Sequence, residues 1–155
     1  MSDLKVQLQS DLTAAMRAHD EVTLRTVRMI LTSITNVEVS GTTARELSDD
    51  EVIAVLSTEA KKRREAATSF DDAGATDRAD AERAELEVIQ RYLPSQLTDE
   101  ELSALVAASV SEAAAAGKTG PSAMGAVMKT LQPQVRGRAD GAAVAALVKQ
   151  ALSGS

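Results

Sequence analysis

Leu4, Leu8, Leu12 and Met16 recur every four residues near the start of the chain, a step that holds side chains on one face of a helix. At 100° per residue the stripe drifts by about 40° per step and is about 120° wide. The spacing predicts a helix from about Asp3 to Ala18. A second helix, about Val22 to Val37, carries Leu24, Val27, Leu31 and Ile34 on its core face, with Arg28 on the border and Arg25 well away. Val39 to Leu47 holds Gly41 and two threonines and is expected to be a mobile loop. The longest helix is expected over about Asp49 to Ala73, with Val52, Leu56, Ala66, Ala67 and Phe70 on one face. A fourth, about Asp77 to Tyr92, turns Leu86, Ile89 and Leu93 inward and is expected to end at Pro94. Beyond it, a helix after Thr98 buries Leu102, Leu105, Val106 and Val110. Met124, Val127, Met128 and Leu131 mark another, and Val144, Leu147, Val148 and Leu152 the last.

The stops and starts agree with this periodicity. Ser48-Asp49-Asp50-Glu51 and Thr98-Asp99-Glu100-Glu101 are capping boxes, a hydroxyl at the N-cap and a carboxylate three residues on. Asp20 and Glu21 cap the second helix, while Gly74 and Gly117 stand where helices end. Pro133 is expected to close the sixth helix, Gly137 to take the positive φ of a turn, and Asp140 to cap the seventh with its carboxylate. The fold class is therefore all-α. Residues 1–94 form an N-terminal helical domain of about four helices, and residues 95–155 a small three-helix domain.

Composition supports the helical reading, since alanine dominates the apolar residues and Phe70 and Tyr92 are the only aromatics among 155 residues. No apolar run approaches the ~20 residues of a membrane span, and the first residues do not resemble a signal peptide. With no cysteine for disulfides, a cytoplasmic protein without membrane contact is expected.

Charge is uneven. Residues 1–94 carry 12 basic and 18 acidic side chains, and residues 95–155 carry five of each. From Gly117 onward, however, Lys118, Lys129, Arg136, Arg138 and Lys149 face only Asp140, a local net of +4. A polyanion would approach that end, weakly and in a salt-dependent way. The open N–H groups of the last helix, with Arg138 just before them, could receive a phosphate. Elsewhere, Lys61-Lys62-Arg63-Arg64 points around the whole circumference of a helix among acidic neighbours and reads as a solvated surface. Glu59 and Arg63 fall on the apolar face of the third helix, acid four residues before base, and read as an ion pair that fixes helix register.

The chemistry open to such a chain is narrow. His19 is the only histidine, and without cysteine neither a zinc site nor a Ser-His or Cys-His nucleophile system is expected. Gly117-Lys118-Thr119 lacks the earlier glycine of a P-loop, because Glu112 occupies that position after a helical segment. No cofactor, no metal and no autonomous active site are predicted. RNA contact through stacked bases needs aromatic rings that are nearly absent, so any such contact is to phosphate and sugar.

Met124-Gly125-Ala126-Val127-Met128 followed by Gly137-Arg138-Ala139-Asp140-Gly141 and Val144 resembles the tail module of the B subunit of glutamyl-tRNA amidotransferase. Arg28-Met29, Asn36, Lys61, Arg63, Glu65, Phe70, Gly74, Asp77, Glu85, Tyr92-Leu93-Pro94 and Gln96-Leu97 extend the likeness, which is similar to the stand-alone GatB/YqeY proteins. The chain departs from that pattern at Ala75, where relatives often carry a basic residue, and at the inserted-looking Gly117 to Ser122. The resemblance implies a helical domain followed by a tail-like domain associated with tRNA. It also implies a relation to glutamine-dependent carbon–nitrogen ligases whose chemistry resides in other subunits. The expected RNA-binding residues are Lys118, Lys129, Arg136, Gly137, Arg138 and Lys149; Gly125, Asp140 and Gly141 complete the motif, and Glu59 and Arg63 are structural. The candidate partners are tRNA or amidotransferase subunits, with a protein-interaction scaffold as a further alternative.

Overall fold

In a computed structural model, which describes residues 1–154, every regular element among the described residues is helical. The helices are α1 (Asp3–Ala18), α2 (Glu21–Glu38), α3 (Asp49–Asp72), α4 (Thr76–Gln90), α5 (Asp99–Ala115), α6 (Met124–Val135) and α7 (Gly141–Ser153), with a single 3-10 turn, Pro121–Ala123, before α6. The chain divides into two compact units, one from Met1 to Leu93 and one from Pro94 onward.

In the first unit α3 packs most extensively on α4, α1 on α2, and α2 on α4. Leu8, Val27, Ile30, Ile34, Val52, Leu56 and Ile89 are buried in one cluster that Tyr92 closes. The four-step stripe of α1 does not stay in this core. Met16 is 53% exposed and Ala15 takes the buried position, because the drift of the stripe has by then turned its last member to solvent. In α2 the core likewise takes Ile30, while Leu31 is only half-buried.

Both capping boxes form. The Ser48 and Thr98 hydroxyls accept the Glu51 and Glu101 N–H groups, and both glutamates accept a bond from the cap N–H in return. Gly74 and Gly117 adopt φ of 75° and 81°. Each allows the next residue to bond back across the last turn, Ala75 N–H to Phe70 O and Lys118 N–H to Ala113 O, both at 2.8 Å. The Gly-Lys-Thr stretch is thus a helix terminus.

Residues 39–47, expected to be mobile, are pinned at their far end. Glu38, 9% exposed, accepts two bonds from the Lys5 ammonium, at 2.7 and 2.9 Å. It also accepts one from the Leu47 N–H at 3.3 Å. Leu47 is itself buried in the core. A second correction concerns Pro133, which lies inside α6 rather than after it. A proline in the final turn forfeits one backbone bond, to the carbonyl four residues back, and the helix continues to Val135. The fourth helix ends earlier than expected, at Gln90, and Arg91–Leu93 follow as a turn.

The second unit buries Leu102 and Val106 of α5 against Val127 and Leu131 of α6 and Val144, Val148 and Leu152 of α7. No helix among the described residues is long and apolar enough to cross a membrane.

The Lys5 bonds, and then the Leu47 N–H, hold the Glu38 carboxyl below its ordinary value of 4.5. A depressed carboxylate contributes stability that is complete above its unfolded value and is lost as pH falls through the folded one. Glu38→Gln is therefore expected to lower the midpoint of thermal unfolding at neutral pH, with the difference from the parent protein shrinking below about pH 4.5. A difference that stays constant down to acid pH would show that the ion pair is not its source.

Candidate functional site

The basic end of the chain is built on the turn between α6 and α7. Gly137, at φ 72°, reverses the chain after Arg136. The turn is then clamped by the segment that opens the second unit. Leu97 N–H donates to Arg138 O at 2.9 Å, Gln96 Nε2 to Gly137 O at 2.7 Å, and Arg138 Nε to Ser95 O at 2.9 Å. Arg138 is half-buried and committed on both its backbone and its side chain to this turn. Gln96 and Ser95 were not expected at this end; a separation of some forty residues leaves no local signal for them.

Asp140 occupies the N-cap of α7, with extended backbone, and its carbonyl accepts the Val144 N–H at 3.0 Å. Its side chain makes no cap bond to the helix. The position was legible, the bond was not, because ψ of 127° sets the carboxylate's approach and the residue type alone does not. Lys118 follows α5, Lys129 is on α6, Arg136 is the C-cap of α6 and Lys149 lies on α7. All four are exposed, and Lys118, Lys129 and Lys149 have no carboxylate within ion-pair distance among the described residues.

Gly125 and Gly141 stand in the first turns of α6 and α7, exposed, with ordinary helical φ and nothing within 4 Å of where a Cβ would be. Neither backbone strain nor packing calls for glycine at these two positions. Glycine inside a helix is a loss of stability relative to alanine.

In the first unit, Glu59 and Arg63 are 6% and 8% exposed. A terminal nitrogen of Arg63 donates to Glu59 Oε2 at 2.5 Å. Glu59 Oε1 accepts from Lys62 Nζ at 3.2 Å and from the Ser33 hydroxyl of α2 at 3.3 Å. The other terminal nitrogen of Arg63 contacts the Met29 sulfur. Its Nε lies 3.4 Å from Glu85 Oε2 of α4, an ion pair without hydrogen-bond geometry. Glu85 Oε1 in turn accepts from Arg25 Nε at 3.1 Å. The cluster joins α2, α3 and α4. Ser33 escaped the sequence reading, and Met29 and Glu85, quoted there only for the resemblance, were not linked to this pair, because only the i, i+4 spacing within α3 was visible. Among the described residues no group of three or more His, Cys, Asp or Glu side chains is placed to hold a metal ion.

A family model described as Yqey-like protein matches residues 5–152. The chain belongs to that family. The match runs through both units and includes the α6–α7 turn and the buried cluster of α3. No curated protein matches this member of the Yqey-like family.

Removing one partner of a buried ion pair leaves the other charge stranded, at a cost of about 3–5 kcal/mol. Arg63→Met is therefore expected to destabilise the protein by about 3 kcal/mol, Lys62 and Ser33 retaining part of the compensation for Glu59. The double variant Glu59→Gln/Arg63→Met is expected to recover most of that loss. Denaturant unfolding of the parent, the two single variants and the double variant gives the coupling directly, and strictly additive losses would contradict it.

Proposed function

We propose that this Yqey-like protein is a non-catalytic module that associates with tRNA through the basic end of its second unit, contacting phosphates and not bases. The observation that carries this is the exposure of Lys118, Lys129 and Lys149 without carboxylate partners, in a protein whose formal net charge is −6. Cations left unpaired on an acidic protein favour a polyanionic partner and confine its approach to one end. The two glycines at the starts of α6 and α7 add support, since a backbone phosphate can come close to their N–H groups. The resemblance of the Met124–Met128 and Gly137–Gly141 motifs to the amidotransferase tail supplies tRNA as the polyanion and glutamine-dependent amide transfer as the setting. The phosphate-contacting set is Lys118, Lys129, Arg136 and Lys149, with Arg138 a positioning residue, because its Nε is spent on Ser95 O.

Binding of purified protein to total tRNA across a salt series tests this. With about four phosphate contacts, affinity is expected to fall about a hundredfold between about 50 and 200 mM salt. Lys118→Glu/Lys129→Glu/Lys149→Glu is expected to abolish binding with unfolding unchanged. Gly125→Ala and Gly141→Ala provide an opposed pair of readouts. Each is expected to raise stability by about 0.5 kcal/mol and to weaken tRNA binding. Binding that survives the triple reversal removes this site; no binding at low salt removes tRNA as partner and leaves a pull-down of amidotransferase subunits as the next comparison.

A further inference from the structure

A cleft of about 380 Å³ opens in the first unit where α1 meets the start of α2 and the turn after α4, a volume at the small end of small-molecule sites. Its apolar wall is Ala14, Ala15 and Ala18. These alanines occur on the same helix whose Leu4, Leu8 and Leu12 pack into the core of the unit, and on the face that lines the cleft they present only methyl groups. Tyr92 closes the floor, and its hydroxyl donates to Asp11 Oδ2 at 2.6 Å. Burial and then the Asp11 carboxylate hold the Tyr92 hydroxyl above its ordinary range, so it stays a donor.

Two charges face this cleft without an ion pair in contact distance. Asp11 has the tyrosine hydroxyl but no cation within ion-pair distance. Arg91 has one long bond, to the Thr23 hydroxyl at 3.4 Å, and no carboxylate. The third charge of the lining, Asp20, accepts the Thr23 N–H at 3.1 Å and the Thr23 hydroxyl at 2.7 Å and feels Arg91 only as a more distant charge, with no direct ion pair between them. Other helix contacts of this unit pair their charges, as Lys5–Glu38, Arg25–Glu85 and Arg63–Glu85 do. Here an anion and a cation are left on opposite partners of one cleft and are not paired with each other.

We propose that this cleft binds a small zwitterion, a free α-amino acid. Its ammonium pairs with Asp11, its carboxylate takes the planar donor fork of Arg91, and its side chain lies on the alanine wall. A simple amine or a simple carboxylate satisfies only one of the two charges. The proposal is independent of the tRNA reading, because Asp11, Ala18 and Arg91 belong to the first unit and none of the proposed phosphate contacts does.

The test uses the full chain and a pool of the twenty free L-amino acids, followed by saturation-transfer NMR and then calorimetry on single members. At least one free amino acid is expected to bind saturably below about 10 mM, and its N-acetyl and its C-amide derivatives are both expected to lose binding. Arg91→Gln is expected to weaken the complex at least about tenfold. Asp11→Asn, which keeps an acceptor for Tyr92, is expected to weaken it without loss of the fold. Ala18→Leu fills the wall from an exposed position and is expected to exclude the ligand while unfolding as the parent does. No saturable binding from the pool overturns the proposal, and so does equal binding of the capped derivatives or full binding to Ala18→Leu.

Discussion

The contact on which the first unit depends is the one between Arg63 and Glu59, two charges taken almost wholly out of water on the face of α3 that also carries Val52, Leu56 and Ala67. A buried guanidinium is costly unless its charge is compensated, and here its three nitrogens face three helices: a hydrogen bond to Glu59 within α3, a contact with Met29 of α2 and an ion pair with Glu85 of α4. Apolar side chains on these three helices could slide by a turn and still find contacts. The charges could not, since a one-turn shift of α3 would carry Arg63 away from both Met29 and Glu85. Hydrophobic burial collapses the helices, and the polar cluster selects one register among the collapsed arrangements.

The same distinction separates charges that build the fold from charges available to a partner. Lys5, Arg25, Arg63 and Arg138 are held by Glu38, Glu85, Glu59 and the Ser95 carbonyl respectively. Lys118, Lys129 and Lys149 are held by no carboxylate among the described residues. Arg138 is the instructive case. By sequence it stands beside Arg136 as an equal member of a basic patch, yet its Nε anchors the turn to residue 95. Reversing its charge would damage the turn and any anion contact together, so the lysines are the informative positions.

What was legible in the sequence was whatever a helix encodes locally. The bounds of α1, both capping boxes and the glycine termini at Gly74 and Gly117 follow from residues within one or two turns of each other. The inward-facing Glu59 and Arg63 could be read from their four-residue spacing. What escaped joins distant segments: Lys5 with Glu38, Asp11 with Tyr92, Ser95 and Gln96 with the Gly137 turn. Periodicity says which face of a helix is buried and nothing about which polar side chain arrives from another element. Glu38 carried a partial signal, standing four residues after Ile34 on the buried face of α2, but its partner was 33 positions away. Small drifts also matter, as Met16 and Leu31 show: a stripe drawn at fixed spacing leaves the core once the helix has turned it far enough.

Glycine sharpens the functional argument because its uses can be told apart. At Gly74, Gly117 and Gly137 the positive φ explains the residue and nothing else need be invoked. At Gly125 and Gly141 the backbone is helical and the space is open, so alanine would fit and would favour the helix. A residue that costs stability and meets no need of the fold is informative about what lies outside the fold. Both glycines fall in the first turn of a helix. The unit that contains them also holds the unpaired lysines. Exposed glycine backbone and lysines without carboxylate partners are complementary to the same thing, an anion with several oxygens, and that coincidence is the reason for proposing a phosphate backbone over a protein surface as the partner of this end of the chain.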